Sequence, residues 1–188
     1  MAYSIDRFIH SLVDDKDATM AGKNGKQKAK DFAEVTTSID LIDRQLALLP
    51  KEMFLDLTKT VLDPCTGDGR YLMRYLYHRL PAIKTADNLL QAISTLYGIE
   101  LQAVNVTRAR NNLYLLTAKI AEYLGVGVDY DQVHKILNSN VIQGDALKIM
   151  EAMSDSSQKK NFSCQSKNRR RTLAGNNRQG LLRAGEIA

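Results

Sequence analysis

Apolar positions along the chain switch repeatedly between helical and strand spacing, and that alternation predicts the architecture. Ile39, Ile42, Leu46 and Leu49 fall three and four apart, behind Thr37 or Ser38 as a cap and ahead of Pro50, which describes an amphipathic helix. Thr60-Val61-Leu62-Asp63 is short and rich in β-formers, and Pro64, Gly67 and Gly69 follow at once, as where a buried strand runs into a tight loop. Helical spacing returns with Tyr71, Leu72, Tyr75, Leu76 and Leu80. A further helix carries Leu89, Leu90, Ile93 and Leu96, and Tyr97-Gly98-Ile99-Glu100-Leu101 reads as the next strand. The strongest stripe spans 107–124 through Ala109, Leu113, Leu116, Ile120 and Leu124, with Gly125 just past its end. Asp131 to Leu137 predicts a short helix, and Asn140-Val141-Ile142-Gln143 a third strand ending at Gly144-Asp145.

Strands separated by helices require right-handed crossovers and a parallel sheet, so the predicted class is α/β with three parallel strands. Residues 11–31 are rich in Asp, Lys, Gly and Asn and carry no apolar period, which predicts a flexible arm, 1–31, after a short opening helix. The domain is expected over 32–154, starting near Phe32. Beyond 154 the chain turns to Ser, Lys, Asn, Arg, Gln and Gly, and 155–188 is expected to be a basic tail without fixed structure.

Composition changes this picture in one respect. The net charge of +5 is concentrated, because 158–188 hold eight Lys or Arg against Glu186 alone, leaving 18 basic and 20 acidic residues in 1–157. A basic tail on a slightly acidic body makes a salt-sensitive contact with a polyanion at most. The two cysteines, Cys65 and Cys164, cannot form a disulfide framework, and neither has a ligand-spaced partner for a metal. No apolar run approaches the roughly 18 residues of a membrane span, and acidic residues occupy the place of a leader, so a cytoplasmic setting without a membrane is expected.

Candidate chemistry sits at Asp63-Pro64-Cys65-Thr66-Gly67-Asp68-Gly69, between a strand end and a helix start. Ligands of open parallel sheets bind outside the carboxyl ends of the strands, where glycines let the backbone turn and approach closely. Two acids in such a loop suit a cationic group and would repel a pyrophosphate. A dinucleotide fingerprint needs a third glycine where Leu72 stands, and its ribose acid about 20 residues on, whereas Glu100 lies 37 residues after Asp63.

The Asp-Pro-x-x-Gly-x-Gly segment resembles the first motif of S-adenosylmethionine-dependent DNA amino-methyltransferases of the adenine-N6 type. Phe32 to Ile39, with Thr36 and Thr37, resembles the family's segment over the methionine end of the cofactor, with Ser38 in place of the usual Pro. Tyr97 to Leu101 and Val141 to Leu147 resemble the second- and third-strand motifs, and the resemblance spans about residues 32–150. It implies a Rossmann-like fold, methylation of DNA in a restriction-modification setting, and S-adenosylmethionine as cofactor. By the same resemblance Glu100, followed by Leu101, takes the ribose hydroxyls, and Asp145 the adenine amine with the amide of Ala146 beside it. Asp63 and Asp68 face the methionine ammonium and sulfonium, Pro64, Thr66, Gly67 and Gly69 shape the loop beneath the ligand, and Thr36 and Thr37 close the pocket.

The family holds its flipped base with an Asn/Asp-Pro-Pro-Tyr/Phe segment on a fourth strand. This chain has only Pro50, Pro64 and Pro81, so it contains no such segment. Asn161-Phe162-Ser163 falls where that strand is due, but no apolar run follows. The expectation is a truncated or split methyltransferase with an incomplete sheet, Val61 and Leu62 on an open edge, and no catalysis by this chain alone. The alternative is a non-catalytic interaction protein, completed by a partner chain and touching nucleic acid through its basic tail.

Overall fold

Each predicted strand forms, and Pro64 ends the first and Gly144 the third. In the computed structural model, which describes residues 2–20 and 37–152, the strands are β1 (Val61–Asp63), β2 (Leu96–Glu100) and β3 (Val141–Gln143). They form an open, three-stranded, all-parallel sheet in the order β1-β2-β3, with Leu62 beside Tyr97 and Ile99 beside Ile142. The chain divides into two units, Met1–Ala146 and Leu147–Ala188, and the first contains the whole sheet. The architecture is α/β, of the Rossmann-like kind expected.

Helix α1 (Ala2–Met20) corrects the expected boundary near Phe32. Ile5, Ile9 and Val13 are fully or almost fully buried in the main core, with Phe8 and Leu12 packed against it, so the core begins at the fifth residue. Their spacing of three and four places them on one helix face. Residues 21–36 and 153–188 lie outside the described residues, and with them the rest of the expected arm and the basic tail.

Helix α2 (Ile39–Leu46) starts where Ser38 caps it, the hydroxyl accepting from the Leu41 amide, and buries Ile39, Ile42 and Leu46. After the single turn α3 (Glu52–Leu55), β1 leads into α4 (Arg70–His78). A 3₁₀ turn, Leu80–Ala82, and α5 (Ala86–Ser94) bring the chain to β2. Leu96, expected on the stripe of α5, is the first residue of β2, because the helix ends at Thr95. Helix α6 (Ala103–Leu124) ends at Gly125, and α7 (Tyr130–Asn140), capped by Asp129, delivers β3. Residues 146–152 are again helical.

Buried polar groups join these elements. Arg74 of α4, only 4% exposed, donates to Asp6 of α1 at 2.6 Å and to both oxygens of Asp43 of α2 at 2.7 Å. That two-carboxylate clamp satisfies a guanidinium removed from water, and it fixes α1 to the body. Arg79, fully buried, donates to the carbonyls of Ala92 and Lys59 and to the Thr95 hydroxyl, and lies 4.7 Å from the Tyr75 ring centre. It therefore ties the chain entering β1 to the end of α5, where carbonyls carry the negative end of the helix dipole. Among the described residues no helix is long and apolar enough to cross a membrane.

Candidate functional site

Parallel strands bring all three carboxyl ends to one edge of the sheet, so Asp63, Glu100 and Asp145, scattered in sequence, gather there by topology. Glu100, at the end of the central strand, touches the loops that leave all three. Its Oε2 accepts from the Gly67 amide at 2.9 Å and its Oε1 from the Gln102 amide at 2.9 Å. Its backbone carbonyl accepts from the Gly144 amide at 2.9 Å. Each carboxylate oxygen keeps a second lone pair, so the group holds the loops together and still has acceptor capacity toward the cleft.

The glycine loop takes its shape from backbone requirements. Gly67 has φ +55° and Gly69 φ +89°, the left-handed region where a side chain is strained. A Cβ at Gly67 would meet nothing within 4 Å, so the loop surface there is open to a ligand, whereas one at Gly69 would press on Ala109 of α6. Asn112 of α6 donates to the Asp68 carbonyl at 2.8 Å and secures the loop from below.

Thr66 points inward. It is 4% exposed, donates its hydroxyl to the Asp63 carbonyl at 2.9 Å and its amide to the Ile99 carbonyl at 3.1 Å. Its side chain fills the space where Gly98 would carry a Cβ, so its part in the site is to hold the loop rather than to face a ligand. Asp68 is also committed within the protein. Its oxygens lie 3.1 and 3.2 Å from Nε of the buried Arg70, which offsets its charge. Another nitrogen of Arg70 reaches the Thr37 carbonyl at 3.5 Å and sets Thr37 beside the start of α4. Thr36 lies outside the described residues.

Asp63 retains the electrostatic demand. Burial pushes its carboxyl pKa up, the Cys65 amide at 3.1 Å opposes that, and the charge of Glu100 adds to the rise. Burial first, and then the Asp63 charge, raise the pKa of the neighbouring Tyr71 phenol. A cation placed between Asp63 and Glu100 relieves both the buried charge and the repulsion. Leu101, exposed at the rim, is held by the Gln143 side chain, which donates to its carbonyl at 3.1 Å. Pro64 and Cys65 are exposed, and Asp145 and Ala146 are half-buried beyond β3.

The resulting edge offers two acids, an open glycine turn, and an apolar rim residue. That donor set suits a ligand carrying both a cationic group and paired hydroxyls. Sequence reasoning missed Asn112, Arg70 and Gly98, which build the site from beneath. Only Gly98 left a legible signal, a glycine inside an otherwise apolar strand. Comparison of the chain with protein-family models, with curated proteins and with solved structures finds no match.

Proposed function

We propose that this chain binds S-adenosylmethionine at the carboxyl edge of its sheet, as the cofactor-binding portion of a cytoplasmic DNA amino-methyltransferase of a restriction-modification system, acting on adenine N6. The observation that carries this reading is Glu100, which braces the glycine loop through Gly67 while keeping lone pairs for two ribose hydroxyls. Asp63, half-buried beside it, supplies the anion for the methionine end, and Leu101 an apolar surface for the adenine. Asp68 contributes through Arg70 and the loop, not as a free counter-charge. The sequence holds no Asn/Asp-Pro-Pro-Tyr/Phe segment to grip a base, so residues 1–188 do not carry out methyl transfer alone.

Calorimetric titration of the full chain with S-adenosylmethionine tests the reading. Saturable binding is expected, weakened at least about tenfold by Asp63→Ala and by Glu100→Ala, a change of about 1.4 kcal/mol each. A folded chain that takes up no cofactor rules the reading out.

A second reading has its own observation. Leu62 and Tyr97, side by side on one face of the sheet, are 42% and 39% exposed. An exposed apolar pair formed by an edge strand and its neighbour favours a non-catalytic interaction protein whose sheet is completed by another chain, the basic tail touching nucleic acid.

A further inference from the structure

We infer that the cleft between α6 and α7 is a binding site for a phosphate monoester. The inference goes beyond both readings above and stands without cofactor binding.

The two helices meet along matched faces. Thr107, Arg110, Asn111 and Tyr114 recur at spacings of three and four along α6, and Tyr130, His134, Leu137 and Asn138 do so along α7. Between these faces lies a cavity of about 150 Å³, with the buried Leu137 as its apolar floor and Thr107, Arg110, Asn111, His134 and Asn138 around it. A space of that order holds a benzene ring, so a tetrahedral oxyanion fits.

Arg110 is fixed before any ligand arrives. Its Nε donates to the Val141 carbonyl at 2.9 Å and its Nη2 to the Asn138 carbonyl at 3.0 Å. Those two bonds use one edge of the guanidinium. The other edge, formed by Nη1 and the second proton of Nη2, meets no partner among the described residues. Positive charge is left over as well. The carbonyls that Arg110 meets belong to the end of α7, where the helix dipole amounts to about half a negative charge against a full positive one. Among the described residues no carboxylate pairs with Arg110.

The rest of the lining supplies donors and no acid. The Asn111 and Asn138 amides and the His134 imidazole each offer an N–H that is not spent on another described residue. The imidazole stacks on Tyr114, with 4.3 Å between ring centres and 19° between planes, which holds it at the wall of the cavity. The Thr107 hydroxyl is already committed, donating to the Ala103 carbonyl at 3.1 Å. A guanidinium fork takes either a carboxylate or a phosphate. Here donors converge from two helices, more than the two oxygens of a carboxylate or the two free oxygens of a diester take up. A monoester presents three.

The test follows the Asn111 and Asn138 side-chain amides and the Arg110 Nε–H of the isotope-labelled full chain by NMR during titration with inorganic phosphate, chloride at equal ionic strength being the control. Saturable shifts of these groups are expected with phosphate alone. His134→Phe keeps the stack on Tyr114 and removes the donor, and Asn111→Ala removes an exposed amide. Each should weaken binding at least about threefold, and Arg110→Lys, which keeps the charge and loses the fork, at least about tenfold, with folding of all three checked by thermal melting. Thymidine monophosphate and glycerol phosphate are titrated next, and the tighter of the two tells whether a nucleotide or an aliphatic ester supplies the group. Shifts that chloride reproduces, the lack of saturation, or affinity indifferent to both His134→Phe and Asn111→Ala overturn the proposal. A dinucleotide diester that binds here more tightly than either monoester overturns it too.

Discussion

The two outer strands of the sheet are equally short and differently finished. At β3, Arg110 caps the outward carbonyl of Val141, and Gln143 is tied to Leu101, so the edge is occupied by side chains of the same unit. At β1 the outward groups of Leu62 face away from the sheet and its side chain is exposed. Proteins manage edges because unpaired backbone recruits other strands. Among the described residues one edge is closed and the other open, so openness is a property of β1, not of small sheets in general. What holds β1 must then act from its ends, and Arg79 does so at its start while Glu100, through Gly67, does so at the loop beyond it.

The largest effect is expected from removing that anchor. Arg79→Ala strands the Lys59 carbonyl, takes one donor each from the Ala92 carbonyl and the Thr95 hydroxyl, and empties a buried volume, which together cost about 3 kcal/mol. Urea denaturation should show the midpoint falling with the slope unchanged. Hydrogen exchange sharpens the comparison, since the amides of Val61 and Asp63 should lose protection before those of β3. Equal loss at both edges would mean that β1 has no anchor of its own.

Arg110→Ala should make the edges alike. Losing two hydrogen bonds to backbone carbonyls costs about 1–2 kcal/mol, and the uncapped Val141 carbonyl becomes available for pairing. Sedimentation velocity should reveal concentration-dependent association absent from the parent chain. If the variant sediments as the parent does, Arg110 is an ordinary packing residue and the contrast between edges loses its physical basis.

Much of the architecture was legible because it is local. Ile39, Ile42 and Leu46 behind Ser38, and Leu113, Leu116 and Ile120 ahead of Gly125, announce their helices by spacing and cap alone. The acids of the site were legible because strand ends carry them. What could not be read depends on pairing across long stretches of chain. The strand order β1-β2-β3 leaves no trace in local spacing, nor does the reach of Arg74 to Asp6 across 68 positions. Helix α1 was underestimated because the Asp- and Lys-rich text after Val13 hid the period of Ile5, Ile9 and Val13. Asp68 read as ligand-facing by position in the loop, yet Arg70, two residues on, claims it, and Gly98 leaves the room into which Thr66 turns.

The smallest effect concerns the acid that ends the open strand. Burial, and then the Glu100 charge, raise the Asp63 pKa in the folded chain above its unfolded value, so the folded state binds that proton more tightly. Ionised Asp63 therefore costs stability, and the cost appears as pH rises through the folded pKa and is absent below the ordinary aspartate range. Asp63→Asn keeps an oxygen for the Cys65 amide and removes the charge. It should stabilise the chain at pH 7 by less than about 1 kcal/mol, since solvent screens a half-buried group, with the gain vanishing in acid. Thermal melts of both proteins from pH 3 to 8 would show the curves converging at the acid end. The same variant should bind S-adenosylmethionine more weakly at pH 7, so stability and affinity move in opposite directions, as they do when an acid is held under electrostatic strain for a cationic ligand. A variant that is less stable at neutral pH would instead make Asp63 a structural partner of the Cys65 turn, and would leave Glu100 as the acid on which the site depends.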